Sequence, residues 1–351
     1  MAQNDNLKRA KKEKNDEFYT QWADIEKEIM AYLDYNPNVF RDKTILLPCD
    51  DPEWSNFTKF FVQNFEAFGL KKLISTSYAA ESKKIKTWQP TLFEMQNPHY
   101  DADKSRTNGK IFTLDHDTNQ NGKIDIDDLQ WQYLEGDGDF RSDEVKRLRD
   151  EADMIITNPP FSLFREFLAW IVEEQKQFVI IGSMNAITYK EVFKLIKNDE
   201  LWLGNGFQSG NAYFGIPKDQ VKEYAFGVYD SQTNLVKFRN CCWFTNIDHG
   251  RRHQPLQLMT MVDNIKHSKH KEIKEQGYPK YDNYDAIEVP YTDAIPGDYD
   301  GIMGVPISFL DKYCPEQFEI LGLDDHREEW RGKGPDLNGK TLYRRIIIKK
   351  R

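Results

Sequence analysis

Four short apolar runs, Thr44-Ile45-Leu46-Leu47, Leu73-Ile74-Ser75-Thr76, Met154-Ile155-Ile156-Thr157 and Phe178-Val179-Ile180-Ile181, constrain the fold of this chain more than any other feature. Each is bounded by polar or turn-forming residues, so each reads as a buried strand of a parallel sheet. Between them lie segments of helical spacing, residues 164–174 (FREFLAWIVEE) and 190–197 (KEVFKLIK). An earlier helix carries Trp22, Ile25, Ile29 and Leu33 at three- and four-residue steps until Pro37 ends it. The alternation predicts an α/β doubly wound sheet from about residue 40 to about residue 200, with ligands at the carboxyl ends of the strands. After Asp199 the texture changes to Gly, Asn, aromatic residues and short β-like pieces at 212–215 and 240–244, followed by a Tyr- and Asp-rich irregular stretch at 277–300. A second, smaller domain is expected there.

A chain of 351 residues with 39% hydrophobic content can bury a real core. No run approaches the ~18 consecutive apolar residues of a membrane span. The start, up to Asp16, is polar and lacks the apolar stretch of a secretory signal, so a cytoplasmic protein without a membrane partner is expected. Cys49, Cys241, Cys242 and Cys314 are too few and too irregular for a disulfide framework and read as reduced thiols. The set Cys241, Cys242, His249 and His253 fits no closed tetrahedral zinc pattern.

The net charge is −9, but 13 acidic and 5 basic residues fall between Asp115 and Asp153, so that stretch alone accounts for −8. Basic clusters lie elsewhere. They are Lys8, Arg9, Lys11, Lys12 and Lys14; Arg251, Arg252, Lys266, Lys269, Lys271 and Lys274, with His267 and His270; and Arg344, Arg345, Lys349, Lys350 and Arg351. Each can be a solvated surface or a phosphate-binding one.

The third apolar run stops at Asn158-Pro159-Pro160-Phe161. Two prolines supply no ladder donors and force a rigid, extended exit from the strand. That exit points the Asn158 side chain and the Pro159 carbonyl out of the sheet end. Both are acceptors suited to the hydrogens of an exocyclic amine, whose lone pair is otherwise delocalised into its ring. Phe161 can stack on a base flipped out of a duplex. An ordinary strand-turn-helix junction is the bland alternative.

Around this tetrapeptide the chain resembles the EcoRI-type adenine-specific DNA methyltransferases. The likeness runs through residues 15–20 (NDEFYT), 47–52 (LPCDDP), 55–57 (SNF), 136–142 (GDGDFRS), 204–206, 243–246 and 281–285 (YDNYD). The resemblance implies a Rossmann-like core that uses S-adenosylmethionine and a smaller C-terminal target-recognition region. It further implies transfer of a methyl group to the N6 amino group of a flipped adenine in double-stranded DNA. Phe18, Tyr19 and Thr20 look like the N-terminal cofactor motif. Pro48, Cys49, Asp50 and Asp51, with Ser55, Asn56 and Phe57, follow the first strand, where related enzymes hold the methionine part of the cofactor. Asp139 and Phe140 are similar to the element that contacts its adenine, and Asn158, Pro159, Pro160 and Phe161 are the catalytic set. Candidate DNA contacts are Arg251, Arg252, Lys266 and Lys269.

The chain also departs from the pattern. Most methyltransferases of this fold place a glycine-rich turn after the first strand, whereas residues 50–55 read DDPEWS, without glycine. The two acids read either as partners for the cofactor's ammonium group or as a helix N-cap. No acid follows the second run at 73–78 for the ribose, so that contact is unassigned.

Residues 117–128 (DTNQNGKIDIDD) match a twelve-residue calcium loop, with Asp117, Asn119, Asn121, the Lys123 carbonyl, Asp125 and Asp128 as oxygen ligands around Gly122. They equally fit a surface turn capped by its own side chains. The expected organisation has three segments: 1–40 is a flexible basic N-terminus with the cofactor-motif helix, 41–200 the catalytic core with the calcium-like loop inserted at 115–130, and 201–351 the target-recognition region. A monomer is expected, working beside a cognate restriction endonuclease. The competing readings are methylation of RNA or of a protein glutamine, and a calcium-stabilised protein that binds DNA without modifying it.

Overall fold

The chain divides into units that are not continuous in sequence. The computed structural model describes residues 18–51, 55–79, 94–95, 97–207, 211–216, 227–323 and 334–351. The N-terminal basic cluster from Lys8 to Lys14, Asn15-Asp16-Glu17 and Pro52-Glu53-Trp54 lie outside the described residues. Two compact units emerge, Met1–Met184 with Gly204–Ile247, and Asn185–Leu203 with Asp248–Arg351. The boundary therefore differs from the one placed near residue 200. Residues 204–247 join the first unit because their strands pair with it, and 185–203 join the second.

The first unit opens with β1 (Tyr19–Thr20) and helix α1 (Trp22–Tyr35), whose buried face is Ile25, Glu28, Ile29 and Tyr32. The helix ends two residues before Pro37, as the steric restriction on the residue preceding a proline requires. Strand β2 (Thr44–Leu47) leads to α2 (Asn56–Gln63), the short α3 (Phe65–Phe68) and β3 (Lys72–Ser77). Next come β4 (Lys110–Leu114), β5 (Gln130–Tyr133), α4 (Asp143–Glu151), β6 (Met154–Thr157), α5 (Phe164–Glu173) and β7 (Gln177–Ser183). A hairpin region supplies β8 (Asn211–Gly215), β9 (Tyr229–Asp230), β10 (Leu235–Arg239) and β11 (Cys241–Thr245).

Within the first unit, the strands of the main sheet run in the order β5-β4-β3-β2-β6-β7-β11. It is mixed, not parallel throughout. Strands β3, β2, β6 and β7 are parallel, while β4, β5 and β11 run against their neighbours. The four apolar runs are these parallel strands, and β2 and β6 are buried at every residue. Strands β4 and β5 escape an apolar-run search because they alternate buried with partly or fully exposed positions. Chain order reverses between β2 and β6, and the loops leaving their carboxyl ends, 48–51 and 158–160, lie side by side.

Aromatic rings fill much of the core of this unit. Phe57, Phe60, Phe61, Phe65 and Phe68 from α2 and α3 pack with Phe40 and Trp243 over Ile45, Leu47, Met154 and Ile156. Buried carboxylates lie inside as well, Glu28 among them. Glu28 is 0% exposed, and it accepts from the Asn205 and Gly206 amides at 2.8 and 3.2 Å and from the Tyr32 hydroxyl at 2.7 Å. It thereby fixes the 204–207 loop that feeds β8. A Cβ at Gly204 would lie 1.9 Å from Glu28 Oε1, which accounts for the glycine.

A second small sheet, β1-β8-β10-β9, joins the N-terminal strand to the hairpin. Tyr19 is opposite Gly215 and Thr20 opposite Phe214.

The second unit contains α6 (Lys190–Lys197), α7 (Met261–His267) and α8 (Lys271–Gln276). Its sheet comprises β12 (Ile287–Glu288), β13 (Ile302–Pro306), β14 (Phe318–Leu323) and β15 (Arg345–Lys350), in the order β12-β13-β15-β14. The basic C-terminal cluster is thus part of an inner strand, with Ile346, Ile347 and Ile348 fully buried. Arg345 pairs with buried Glu288 at 2.7 Å. No helix among the described residues is long and apolar enough to cross a membrane.

Candidate active site

The site grows from the two loops at the chain-order reversal. Where β6 ends, Thr157 Oγ1 lies 2.7 Å from the Pro48 carbonyl and 2.5 Å from Asp50 Oδ2, tying the first loop to the third apolar strand. Ser55 Oγ donates to the other carboxylate oxygen of Asp50 at 2.7 Å and accepts from the Phe57 amide at 3.1 Å, so Ser55 is the N-cap of α2. The Asp50 carboxylate, 6% exposed, is therefore held between two hydroxyls. Of the two acids read as partners for an ammonium group, Asp50 braces the turn and Asp51 is half-buried at the pocket wall.

The missing glycine has a structural counterpart. Cys49 adopts φ +70°, the left-handed conformation that a glycine-rich turn would otherwise supply. The backbone still turns sharply after β2, and its side chain lines the pocket.

Asn158 follows directly. Its Nδ2 donates to the Phe18 carbonyl at 2.7 Å. A carbonyl only accepts, so this bond fixes which end of the amide is nitrogen. Oδ1 is left buried without a hydrogen-bond partner, and so is Thr20 Oγ1 on the neighbouring strand. Unsatisfied buried polar atoms are rare and costly, and two of them at one pocket mark a place built for a polar ligand. Phe18, Tyr19, Thr20, Cys49, Asp50, Asp51, Ser55, Asn158 and Pro160 from the expected set come together here, joined by Tyr78.

Pro48, Asn56, Phe57, Asp139, Phe140, Pro159 and Phe161 do not line this pocket. Asn56 instead ties α2 to the N-terminal strand through the Thr20 carbonyl at 2.7 Å. Phe57 packs edge-on to Trp243, and Phe140, 1% exposed, packs against Phe167 and Trp170. Asp139 is chelated by Arg141 at 2.6 and 2.8 Å. Phe161 sits in an aromatic cluster with Phe18, Phe214 and Phe238, its centroid 5.7 to 6.1 Å from theirs.

Tyr78 was missed. It stands just after β3, at the position searched for an acid, and no sequence rule singles out a tyrosine there. Burial pushes its phenol well above the usual range, with the charges of Cys49 and Asp139 adding to the shift. Phe214 and Phe238 were also missed, because a strand register and not a motif brings them to Phe161.

The 117–128 segment is closed by its own side chains. Asp117 accepts from the Asn121 and Gly122 amides at 3.2 and 2.7 Å, and Asp128 from Thr118, Asn119 and Asp125 at 2.8, 3.1 and 3.0 Å. Among the described residues no group of three His, Cys, Asp or Glu is arranged to hold a metal ion. None of the four cysteines is in a disulfide, and burial pushes Cys241 up to about 12.

The candidate DNA contacts in the second unit separate into two kinds. Arg252 is 8% exposed, ion-paired to Asp199 and stacked 3.8 Å over Trp202, so it holds the fold together. Arg251 pairs with Asp311 at 2.8 Å. Lys266 is exposed on α7, and Lys269, 76% exposed, reaches Asp293 at 2.7 Å.

Comparison with known proteins places this geometry in context. A family model described as "Adenine-specific methyltransferase EcoRI" matches residues 6–351. The chain is similar to the Type II methyltransferase M.EcoRI of Escherichia coli, with 41% identity over 99% of this chain and 97% of that protein. The Type II methyltransferase M.MpnI of Mycoplasma pneumoniae is 34% identical over 98% and 97% of the two chains. M.MgeORF184P of Mycoplasma genitalium, also a Type II methyltransferase by name, is 33% identical over 97% and 98%. No solved structure matches.

Proposed function

The chain belongs to the EcoRI family of adenine-specific methyltransferases, and on that premise we propose the reaction its site performs. It transfers a methyl group from S-adenosylmethionine to the exocyclic N6 amino group of an adenine in duplex DNA, at sites of defined sequence. The observation that carries this reading is Asn158: its nitrogen is committed to Phe18, and its buried oxygen has no partner.

S-adenosylmethionine supplies an electrophilic methyl group on a sulfonium. The chain supplies position and polarity. Thr20, with its own partnerless hydroxyl, and Asp51 suit the polar methionine end of that molecule. Asn158 Oδ1 and the Pro159 carbonyl accept hydrogens of the target amine, which turns its lone pair toward the methyl carbon. The adenine is flipped from the duplex and meets the pocket at Asn158 and Pro160, next to the aromatic cluster that holds Phe161. As the nitrogen–methyl bond forms the sulfur–methyl bond breaks, S-adenosylhomocysteine leaves as the neutral thioether, and the nitrogen then sheds a proton to water.

In the same reading the core is Rossmann-like and the C-terminal part reads the target sequence. Support comes from α7, which is inverted relative to an ordinary surface helix. It buries Asn264 and has Val262 70% and Ile265 38% exposed beside Lys266. Exposed apolar and basic side chains on one helix suit base methyl groups and phosphates. The enzyme acts as a monomer beside a restriction endonuclease of the same specificity. A calcium ion in the 117–128 loop belongs to this reading too, with oxygens at Asp117, Asn119, Asn121, the Lys123 carbonyl and Asp128 around Gly122, which has φ +85°. A rise in Tm with calcium, abolished by a chelator, supports it; an unchanged Tm leaves the segment a self-capped turn.

The test is methylation of unmodified genomic DNA followed by sequencing that detects N6-methyladenine. One recurrent motif is expected. Label from S-adenosylmethionine appearing in RNA or protein, with duplex DNA unlabelled, overturns the reading.

A further inference from the structure

The small sheet β1-β8-β10-β9 has two unlike faces. Ala212, Phe214, Val236 and Phe238 share one, and Phe214 and Phe238 bring it against Phe161 and Phe18 beside Asn158. Strand alternation assigns Tyr213, Lys237 and Arg239 to the other. There the register sets Tyr213 directly opposite Lys237 and Asn211 opposite Arg239. Tyr213 is 42% exposed, with the Lys237 ammonium 5.8 Å from its ring centroid. The same row continues through Gly215 to Tyr19, and Tyr19 lines the catalytic pocket.

We propose that this outer face, Tyr213 with Lys237 and Arg239, is a docking surface for the sugar-phosphate backbone of the DNA strand that carries the target adenine. Three observations support it. The face is continuous with the pocket mouth at Tyr19. Among the described residues neither Lys237 nor Arg239 has a carboxylate in ion-pair range, whereas Arg141 and Arg149 of the same unit are ion-paired. Asp230, on the same face at the end of the hairpin, is taken up by its own turn, accepting from the Gln232 amide at 2.9 Å and the Thr233 hydroxyl at 2.8 Å. A chain of net charge −9 has to meet a polyanion through local cations. An exposed tyrosine beside two of them adds a ring on which a sugar or a neighbouring base can rest.

The proposal rests on the DNA adenine methyltransferase reading and deepens it, so the experiment keeps the two apart. The full chain is assayed for duplex DNA affinity across a salt series, with S-adenosylhomocysteine affinity measured alongside. The double substitution Lys237→Gln with Arg239→Gln is expected to weaken DNA binding by about tenfold and to flatten the plot of log affinity against log salt by about 2, about 1 for each phosphate that is no longer neutralised. Lys237→Arg retains the wild-type slope, Tyr213→Ala weakens binding at unchanged slope, and S-adenosylhomocysteine affinity stays at the wild-type level in all of them. A double variant with wild-type DNA affinity and slope overturns the proposal. So does a parallel loss of S-adenosylhomocysteine binding, because the face would then merely brace the pocket. A wild-type protein that leaves duplex DNA unmethylated overturns the underlying reading and this proposal together.

Discussion

Two residues at the proposed site stand out, for different physical reasons. In the proposed reaction Asn158 acts through an atom that the fold leaves unsatisfied. Replacement by Ala removes the acceptor and the tie to Phe18, and methyl transfer is expected to fall by about 10²- to 10³-fold, the usual cost of deleting one preorganised polar group at a reacting centre. Single-turnover transfer and DNA binding measured together check this; a fall in binding that matches the fall in rate would mean that Asn158 only holds the DNA. Cys49 acts through its backbone. At φ +70° it occupies a region where a β-branched side chain is a genuine outlier. Cys49→Val should cost about 1–3 kcal/mol, whereas Cys49→Gly should stay within about 1 kcal/mol of wild type, since relief of strain offsets the added chain entropy. Urea unfolding of the two variants gives the comparison, and equal stability would show that the turn relaxes easily.

At the scale of elements, the loop before α4 shows how a family-like motif can be structural. Residues 136–139 press against the end of β3: a Cβ on Gly138, whose φ is +84°, would lie 2.3 Å from the Ser77 carbonyl oxygen, and the Ala79 amide donates to the Asp137 carbonyl at 2.9 Å. Gly122 has nearly the same φ, +85°, with nothing within 4 Å of such a Cβ. The pair separates conformational strain from close approach. Gly122→Ala is expected to cost about 1–2 kcal/mol from the left-handed backbone alone. Gly138→Ala should cost about 1–3 kcal/mol more, because the obstacle is backbone that cannot swing away. Denaturation midpoints of both variants decide it; similar losses would mean that the Gly138 loop shifts freely. The small sheet carries a parallel lesson, because the Phe18-Tyr19-Thr20 motif becomes a working element only once β8 pairs with it.

For the molecule as a whole, charge is local and stability depends on pH through a few sites. In the second unit His253 lies between Asp248 at 2.9 Å and Glu316 at 2.6 Å. Burial alone would lower its pKa, but hydrogen bonds and charge from both carboxylates outweigh that and raise it above 6.5. Hydrogen bonds from Cys314 and then His253 lower Glu316 to about 2. The raised histidine stabilises the fold fully below pH 6.5 and loses that contribution as pH climbs through its folded value; the depressed glutamate contributes above pH 4.5 and loses it as pH falls toward 2. Tm should therefore decline above about pH 6.5, and His253→Gln should flatten the decline. A variant with the wild-type slope across that range would discard the idea. The sequence by itself determined the buried parallel strands, the first helix and its end before Pro37, and the strand exit at Asn158-Pro159-Pro160-Phe161, because burial on both faces and proline geometry act locally. Only the tertiary structure decided that Cys49 replaces a glycine, that Asp50 braces the turn, that Arg252 and Arg345 are internal ion-pair partners, and that Tyr78, Phe214 and Phe238 reach the site. Those outcomes depend on strand register and on which distant carboxylate a cation meets, and neither is encoded in the spacing of residues along the chain.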